Sequence, residues 1–539
     1  MDEDRIQQNR REQDEKSTQE RAAILGVQYF DARGVEQSLP LVEGTVDVET
    51  MHRSRIVPLT AGNEAEAWRF GITTQTPQSL IRDLTKEYND QGKSIQFFLI
   101  SNSSYRIFMD RYDPPTTAIY DDIKIAKEGD SDTMSQVSQT LNSVSSDEVF
   151  DYLIDQADRL GASDIHIENQ RTHIRIRMRI DGTLHPVADL DSDRYRVILG
   201  ALASRANLST ASTEPQSGHI QKEINRDGAT HLLNMRVETV PTMYGQDAVL
   251  RLFNFDQSML SLDFLGLGTA ERAEIDEVVS HPRGMVLMVG PTGSGKSTTL
   301  YSIINALNTS DVKIITLEDP IEYGIAGISQ IPINTTDGQS FADGLRSILR
   351  LDPDVVMVGE IRDADTAKSA IQASITGHLV LSSFHANNTS AAFSRMIDLI
   401  GVNPIFSSAI RLVIAQRLVR KLDDNKEEYE PDEATKSWVR DVLKDLPSHI
   451  EKPDLDNFKL WRPVISESSP FGYNGRIVVM EQMVVGEAVQ KFIRGDIKDI
   501  NTDVIEKAAR EAGMVTLLER GVLAALRGET TLEEINRVI

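Results

Sequence analysis

Nine consecutive residues constrain this chain more than any others: GPTGSGKST, Gly290 to Thr298, lies between the apolar run MVLMV and the helix-patterned TLYSIINAL. A strand that turns through glycines into a helix directs successive backbone N–H groups at one point, where phosphate oxygens bind. The whole loop, Gly290, Pro291, Thr292, Gly293, Ser294, Gly295, Lys296, Ser297 and Thr298, is assigned to nucleotide phosphates. Lys296 is placed to meet the β and γ phosphates and Ser297 to ligate magnesium. A structural glycine turn is the competing reading.

From Gly284 to Gly377 the pattern runs strand, glycine loop, helix, strand, acidic loop, helix, strand, helix, with a further apolar strand at LVLSSF. Such alternation predicts a mainly parallel sheet covered on both faces, with function at its strand ends. ITLEDPIEY brings Glu318, Asp319 and Glu322 to the end of a β-branched strand, and Glu318 is assigned to water or magnesium, against a turn or cap role. VVMVG delivers Glu360, the natural carboxylate to hold magnesium or its bound water and to polarise the attacking water, against a simple ion pair with Arg362. Arg346 and Arg350 share one helix face and are directed at phosphate across a subunit boundary, although surface arginines look the same. TGHLVLSSFHANN sets His378 before a strand and His385 after it, both candidates for sensing a γ phosphate, His378 the stronger; buried, satisfied histidines are the alternative. Arg236 and Arg251, on two expected strands of the preceding domain, can close a nucleotide site across an interface or simply pair locally.

The 539 residues suffice for roughly three or four domains. Residues 1–20 read as a flexible acidic and polar tail and 21–125 as a small α/β domain, with a helix around Ile81, Leu84 and Tyr88 and strands at SIQFFLI and YRIFMD. Residues 126–147, rich in Ser, Asp, Gln and Thr, read as a linker. An α/β middle domain covers 148–264, turning at Asp181-Gly182; the nucleotide core covers 265–420 and a C-terminal lobe, acidic over 421–460, covers 421–539.

With 57 Lys+Arg against 82 Asp+Glu, the formal net charge is −25, which disfavours nonspecific nucleic-acid binding. The absence of cysteine excludes disulfides, thiolate nucleophiles and zinc held by four thiolates. The N-terminus has no basic segment followed by an apolar run, and no stretch approaches the ~20 apolar residues needed to span a bilayer. The expected location is cytoplasmic, with membrane association made through a partner.

The chain resembles the secretion ATPases that drive bacterial type II secretion and type IV pilus assembly. The resemblance covers roughly two thirds of the chain: SDIHIE, IRMRIDGT, RVETVPTMYG, GPTGSGKSTTLY, LEDPIEYG, DPDVVMVGEIRD, TGHLVLSSFHANN, QRLVRKL, GYNGRIVVMEQ and GMVTLLERGV, in that order. It implies an α/β protein with a RecA-like P-loop ATPase domain, a PAS-like middle domain, a small N-terminal α/β domain and a C-terminal helical lobe. It further implies a homo-hexamer that hydrolyses ATP with magnesium between middle and RecA-like domains and acts on an inner-membrane platform, and on pilin-like subunits indirectly. Lys296 and Ser297 fall in its Walker A motif, Glu318 in its Asp box, Glu360 in Walker B, and His378 and His385 in its His box. Arg236, Arg251, Arg346 and Arg350 look like its phosphate-facing arginines.

Two departures are visible. Many relatives carry a four-cysteine zinc lobe between QRLVRKL and GYNGR, so no zinc is expected here; and the usual Pro-Gln-Asp-Gly segment reads TEPQSGH, with Ser217 after Gln216. The N-terminal domain is expected to dock on the platform. A pilus retraction motor and a nucleic-acid translocase of the same superfamily are the alternatives.

Overall fold

The acidic N-terminus folds because its carboxylates have a helix end to bind. In the computed structural model, which describes residues 2–35, 38–42, 44–62, 67–113, 131–145, 148–226, 229–253, 260–335, 338–466, 469 and 471–539, helix α1 spans Asp2–Leu25. Its buried Glu15 accepts hydrogen bonds from the hydroxyls of Ser101 (2.6 Å), Ser104 (2.7 Å) and Tyr29 (2.6 Å), and Asp14 accepts from the Ser103 N–H and hydroxyl. Those serines open a helix whose first turn has unpaired N–H groups and a positive dipole end, which favours carboxylates. The tail expected over residues 1–20 is thus helical from Asp2 onward and is docked through Asp14 and Glu15.

The chain divides into two units, Met1–Tyr120 and Asp121–Ile539. The first continues with β1 (Gln28–Tyr29), α2 (Val48–Ser54), β2 (Ile56–Thr60), β3 (Trp68–Ile72), α3 (Gln78–Asp90), β4 (Ile95–Leu99) and α4 (Asn102–Tyr112). Its sheet has the order β1-β4-β3-β2. YRIFMD, expected as a strand, lies in α4. Ser101 caps that helix by accepting from the Ser104 N–H, and Tyr105, Phe108 and Met109 bury one helical face.

The second unit begins with α5 (Ser131–Ser143) and α6 (Val149–Arg159). Val137, Leu141 and Val144 are buried, so much of the expected linker is structured; its residues 126–130, 146 and 147 lie outside those described. There follow β5 (Ala162–Asn169), β6 (Ile174–Ile180), β7 (Thr183–Leu190), α7 (Ser192–Ala206), β8 (Gln216–Arg226), β9 (Ala229–Thr242) and β10 (Gly245–Phe253), forming a six-stranded antiparallel sheet of order β7-β6-β5-β10-β9-β8. Asp181 and Gly182 both take positive φ, 48° and 83°, the geometry of a tight turn between β6 and β7.

The nucleotide core comprises α8 (Thr269–Val279), β11 (Gly284–Val289), α9 (Lys296–Leu307), β12 (Ile314–Glu318), β13 (Ser329–Pro332), α10 (Phe341–Ile348), β14 (Val355–Glu360), α11 (Ala364–Ile375), β15 (Leu379–Phe384), α12 (Thr389–Ile400) and β16 (Ile410–Leu422). Beyond it lie β17 (Lys426–Tyr429), α13 (Glu433–Leu443), β18 (Leu460–Pro463), β19 (Tyr473–Val484), α14 (Glu487–Arg494), α15 (Thr502–Glu511), α16 (Leu517–Leu526) and α17 (Leu532–Val538). The sheet order is β13-β12-β14-β15-β11-β16-β19, parallel throughout except for β19 against β16. On β11, Met285, Leu287 and Val289 enter one buried cluster and Val286 and Met288 the other, as a strand covered on both faces requires.

The core sheet does not end at residue 420, because β19 returns from the C-terminal region to complete it. Residues 421–463 supply a two-stranded ribbon and α13, whose Val439 and Leu443 pack with Phe458, Leu460, Val522 and Leu523 in a small core of their own. Among the described residues no cluster of three or more His, Cys, Asp or Glu is arranged to hold a metal ion, and no helix is long and apolar enough to cross a membrane.

Candidate nucleotide site

The site stands at the carboxyl ends of the core strands, where successive loops leave a parallel sheet. After β11 the backbone takes φ +150° at Gly290, where a Cβ would come within 2.7 Å of the Gln416 carbonyl oxygen. At Gly295, φ is +83° and a Cβ would meet Gln416 Nε2 at 2.8 Å. Glycine is therefore required at both positions by backbone angle and by the approach of β16. Gly295 caps α9 without a side-chain hydrogen bond, so the first N–H groups of the helix remain available to an anion.

A cleft of about 440 Å³ opens over this loop. Thr292 to Thr298 form its floor; Glu318, Asp319, Glu322, Glu360, Arg362 and His385 lie along the strand ends, and Arg251 and Phe253 enter from β10 of the middle domain. Gly290 and Pro291 line an adjoining recess with His385. The Lys296 ammonium donates to the carbonyls of Gly290 (2.7 Å) and Pro291 (2.9 Å). Both acceptors are neutral, so a phosphate oxygen competes well for it. Burial lowers the lysine pKa and nearby Arg417 adds to this, while Glu360 opposes.

Glu360 is fixed between two cations or potential cations. Arg362 Nε donates to one carboxylate oxygen at 2.7 Å and His385 Nε2 approaches the other at 2.9 Å. The ion pair with Arg362 and a place in the cleft coexist. Glu318 also lines the cleft but is enclosed: one oxygen accepts from the Tyr301 hydroxyl, the other from Thr316 (2.5 Å) and Gln330 (3.0 Å). These donors leave Glu318 holding β12 and α9 together, and Glu322 is the more accessible carboxylate. Burial raises the Glu322 pKa, and Arg251 and Arg236 pull it back down.

The other expected residues are distributed differently. His378 stands before β15, at the amino end of the sheet, where its Nδ1 meets the Ala373 carbonyl at 3.0 Å. One strand length, roughly 20 Å, separates it from His385, so His385 and not His378 reaches the cleft of its own chain. Arg236 lies beside Arg251 in register but pairs with Glu238 at 2.7 Å and does not line the cleft. Arg346 pairs with Asp343 at 2.6 Å on the surface, and Arg350 lies in the short 3-10 turn Leu349–Leu351; neither lines the cleft.

The sequence pattern places Gln416 and Arg417 in the segment QRLVRKL without assigning either a role. Buried Gln416 donates to the Ser294 carbonyl and accepts from the Thr299 hydroxyl, both at 2.8 Å, tying the phosphate loop to β16. Arg417 donates to the Asn387 and Gln416 carbonyls. Two successive polar residues inside the apolar run IRLVIAQRL were the available signal. Gln416→Ala removes two buried hydrogen bonds of about 1 kcal/mol each, and is expected to weaken binding of a fluorescent ATP analogue about tenfold in direct titration.

The residues suit a magnesium nucleotide. Buried Ser294 Oγ, on the loop, has no hydrogen-bond partner among the described residues, Ser297 follows the loop lysine, and the Glu360 carboxylate shares their cleft. Residues 141–537 match the model of the Type II/IV secretion system protein family. Type II secretion system protein E of Xanthomonas campestris pv. campestris is 40% identical over 392 residues, which cover 72% of this chain and 66% of that protein. Type IV pilus assembly ATPase PilB of Pseudomonas aeruginosa is 32% identical over 530 residues, covering 96% of this chain and 89% of that one. Among solved structures, the Legionella pneumophila ATPase DotB covers 72% of this chain and 94% of its own, with a TM-score of 0.53 and 22% identity, a likeness of fold.

Proposed function

This chain belongs to the type II/IV secretion system protein family and is an ATPase of that family, and on that premise we propose that it is a hexameric motor that powers assembly of a type IV pilus or a type II secretion pseudopilus. The observation that carries the proposal is the composite cleft: a phosphate loop and Glu360 on the RecA-like core face Arg251 on the middle domain. A site built from two domains of one chain is altered when its nucleotide changes, which is how hydrolysis can move one domain against the other.

In this reading the loop N–H groups and Lys296 hold the ATP phosphates, and Ser297 and Glu360 would hold a magnesium ion, which would supply positive charge to the phosphates. Glu360, oriented by Arg362 and His385, orients and polarises the attacking water. The water oxygen bonds to the γ phosphorus as the bond to the bridging oxygen breaks, its proton passes to the Glu360 carboxylate and on to solvent, and ADP leaves with the bridging bond's electron pair. Arg251 stabilises the charge that gathers on the transferring group. The exposure of Arg346, and the position of Arg350 outside the cleft of its own chain, support their assignment to the site of a neighbouring subunit in a ring.

Residues 1–120 form a separate unit and are assigned to docking on the cytoplasmic part of an inner-membrane platform, which places the motor peripherally at that membrane. The full-length chain and a form lacking residues 1–120 should be compared in co-purification with the platform components. Capture of the full-length chain alone is expected. Equal capture of both forms removes the docking role, and failure of the full-length chain to engage the platform, with DNA-stimulated ATP turnover, favours a nucleic-acid translocase.

A further inference from the structure

One row of the middle-domain sheet crosses three strands at matched register: Arg251 on β10 lies opposite Asp164 on β5, which lies opposite Arg179 on β6. Directly opposed residues of antiparallel strands share a face. Asp164 is 5% exposed. Its Oδ1 accepts from Arg251 Nε at 3.1 Å, and its Oδ2 pairs with Arg179 Nε at 3.2 Å and accepts from the Ser163 hydroxyl at 2.9 Å. Arg179 is itself held, donating to the Gly182 carbonyl at 3.2 Å in the β6–β7 turn.

The division of labour on Arg251 is specific. Its inward Nε is used by the carboxylate, whereas its two terminal nitrogens make no hydrogen bond or ion pair among the described residues, and the side chain lines the nucleotide cleft. A guanidinium fixed through Nε presents its terminal N–H pairs as a planar fork, the geometry that matches two phosphate oxygens. Two arginines share the single negative charge of Asp164. These three groups together keep net positive charge, and Arg251 also faces the Glu322 carboxylate in the cleft.

We propose that Asp164 is a positioning residue for phosphoryl transfer, acting through Arg251 to hold its guanidinium at the nucleotide. This inference rests on the proposed function, in which Arg251 faces the transferring phosphate. A misplaced catalytic group costs rate even when substrate still binds, so the effect belongs in kcat more than in KM.

The test is a double-mutant cycle on the full-length protein with Asp164→Asn, Arg251→Ala and the combination, reading ATP kcat and KM by phosphate release. Asp164→Asn keeps size and one acceptor while removing the charge, and thermal melting of each variant reports folding. The expected result is a fall in kcat of about 10- to 100-fold for Asp164→Asn, with KM changed less than about threefold. In the Arg251→Ala background the same change is expected to have no further effect. Two outcomes overturn the inference: an unaltered kcat in Asp164→Asn, or an equal further loss when Arg251 is already absent. A loss of the folded state in Asp164→Asn also overturns it, since the carboxylate is then structural. If Arg251→Ala itself retains full turnover, the proposed role of Arg251 in the cleft fails first, and is thereby distinguished from failure of Asp164 alone.

Discussion

Glu360→Gln is expected to lower steady-state phosphate release by about 10³-fold while leaving nucleotide affinity within about threefold. The substitution preserves the length and shape of the side chain. What it removes is the negative charge that Arg362 and His385 now flank at 2.7 and 2.9 Å. In the proposed mechanism that charge polarises the attacking water, and its loss also takes the carboxylate from beside the His385 ring, yet the phosphate loop and Lys296 remain intact. Parallel analogue-binding and phosphate-release assays separate the two effects. Turnover near that of the wild type in Glu360→Gln removes the residue from its assigned chemistry.

Lys296→Ala is expected to act one step earlier, weakening ATP binding by about 100-fold. A charge-assisted hydrogen bond to a phosphate contributes about 1.5–3 kcal/mol. The ammonium also donates to the Gly290 and Pro291 carbonyls, so its loss unties the first two residues of the loop from the helix that follows it. Turnover then falls because the site is empty at ordinary ATP concentrations, and raising ATP recovers part of it. Unchanged affinity in this variant contradicts the binding geometry.

The phosphate loop was legible from sequence because its constraints are local: glycines at positive φ between a buried strand and a helix admit few other folds. The parallel core was legible for a related reason, since strands buried on both faces read as continuous apolar runs such as those of β11 and β14. What escaped was decided by contacts distant in sequence. α1 docks through Asp14 and Glu15 on the serines that open α4, a polar attachment that leaves no hydrophobic period to read. YRIFMD has the aromatic and β-branched content of a strand, and only the Ser101 cap and the spacing of Tyr105, Phe108 and Met109 turn it into a helix.

At the site, the sequence pattern favours His378 over His385, although strand direction in a parallel sheet puts the loop after β15, not the residue before it, beside the phosphate loop. Glu318 illustrates a second difficulty. Its position after β12 was readable, but Tyr301, Thr316 and Gln330, which enclose it, reach it from α9, from its own strand and from β13. Gln416 belongs to β16, far along the chain, and only the fold shows that it braces Ser294. The middle-domain arginines share one register position, and they differ in their ion pairs: Arg251 is held by Asp164 and lines the cleft, whereas Arg236 is turned to Glu238.

The proposed ring, in which subunits complete one another's sites, is checked by measuring turnover per chain across protein concentration, with the mass of the protein determined in the same magnesium–ATP samples. Turnover per chain is expected to rise steeply with concentration, in step with the appearance of a six-copy species. A monomer that hydrolyses ATP at a constant rate per chain over the whole range contradicts it.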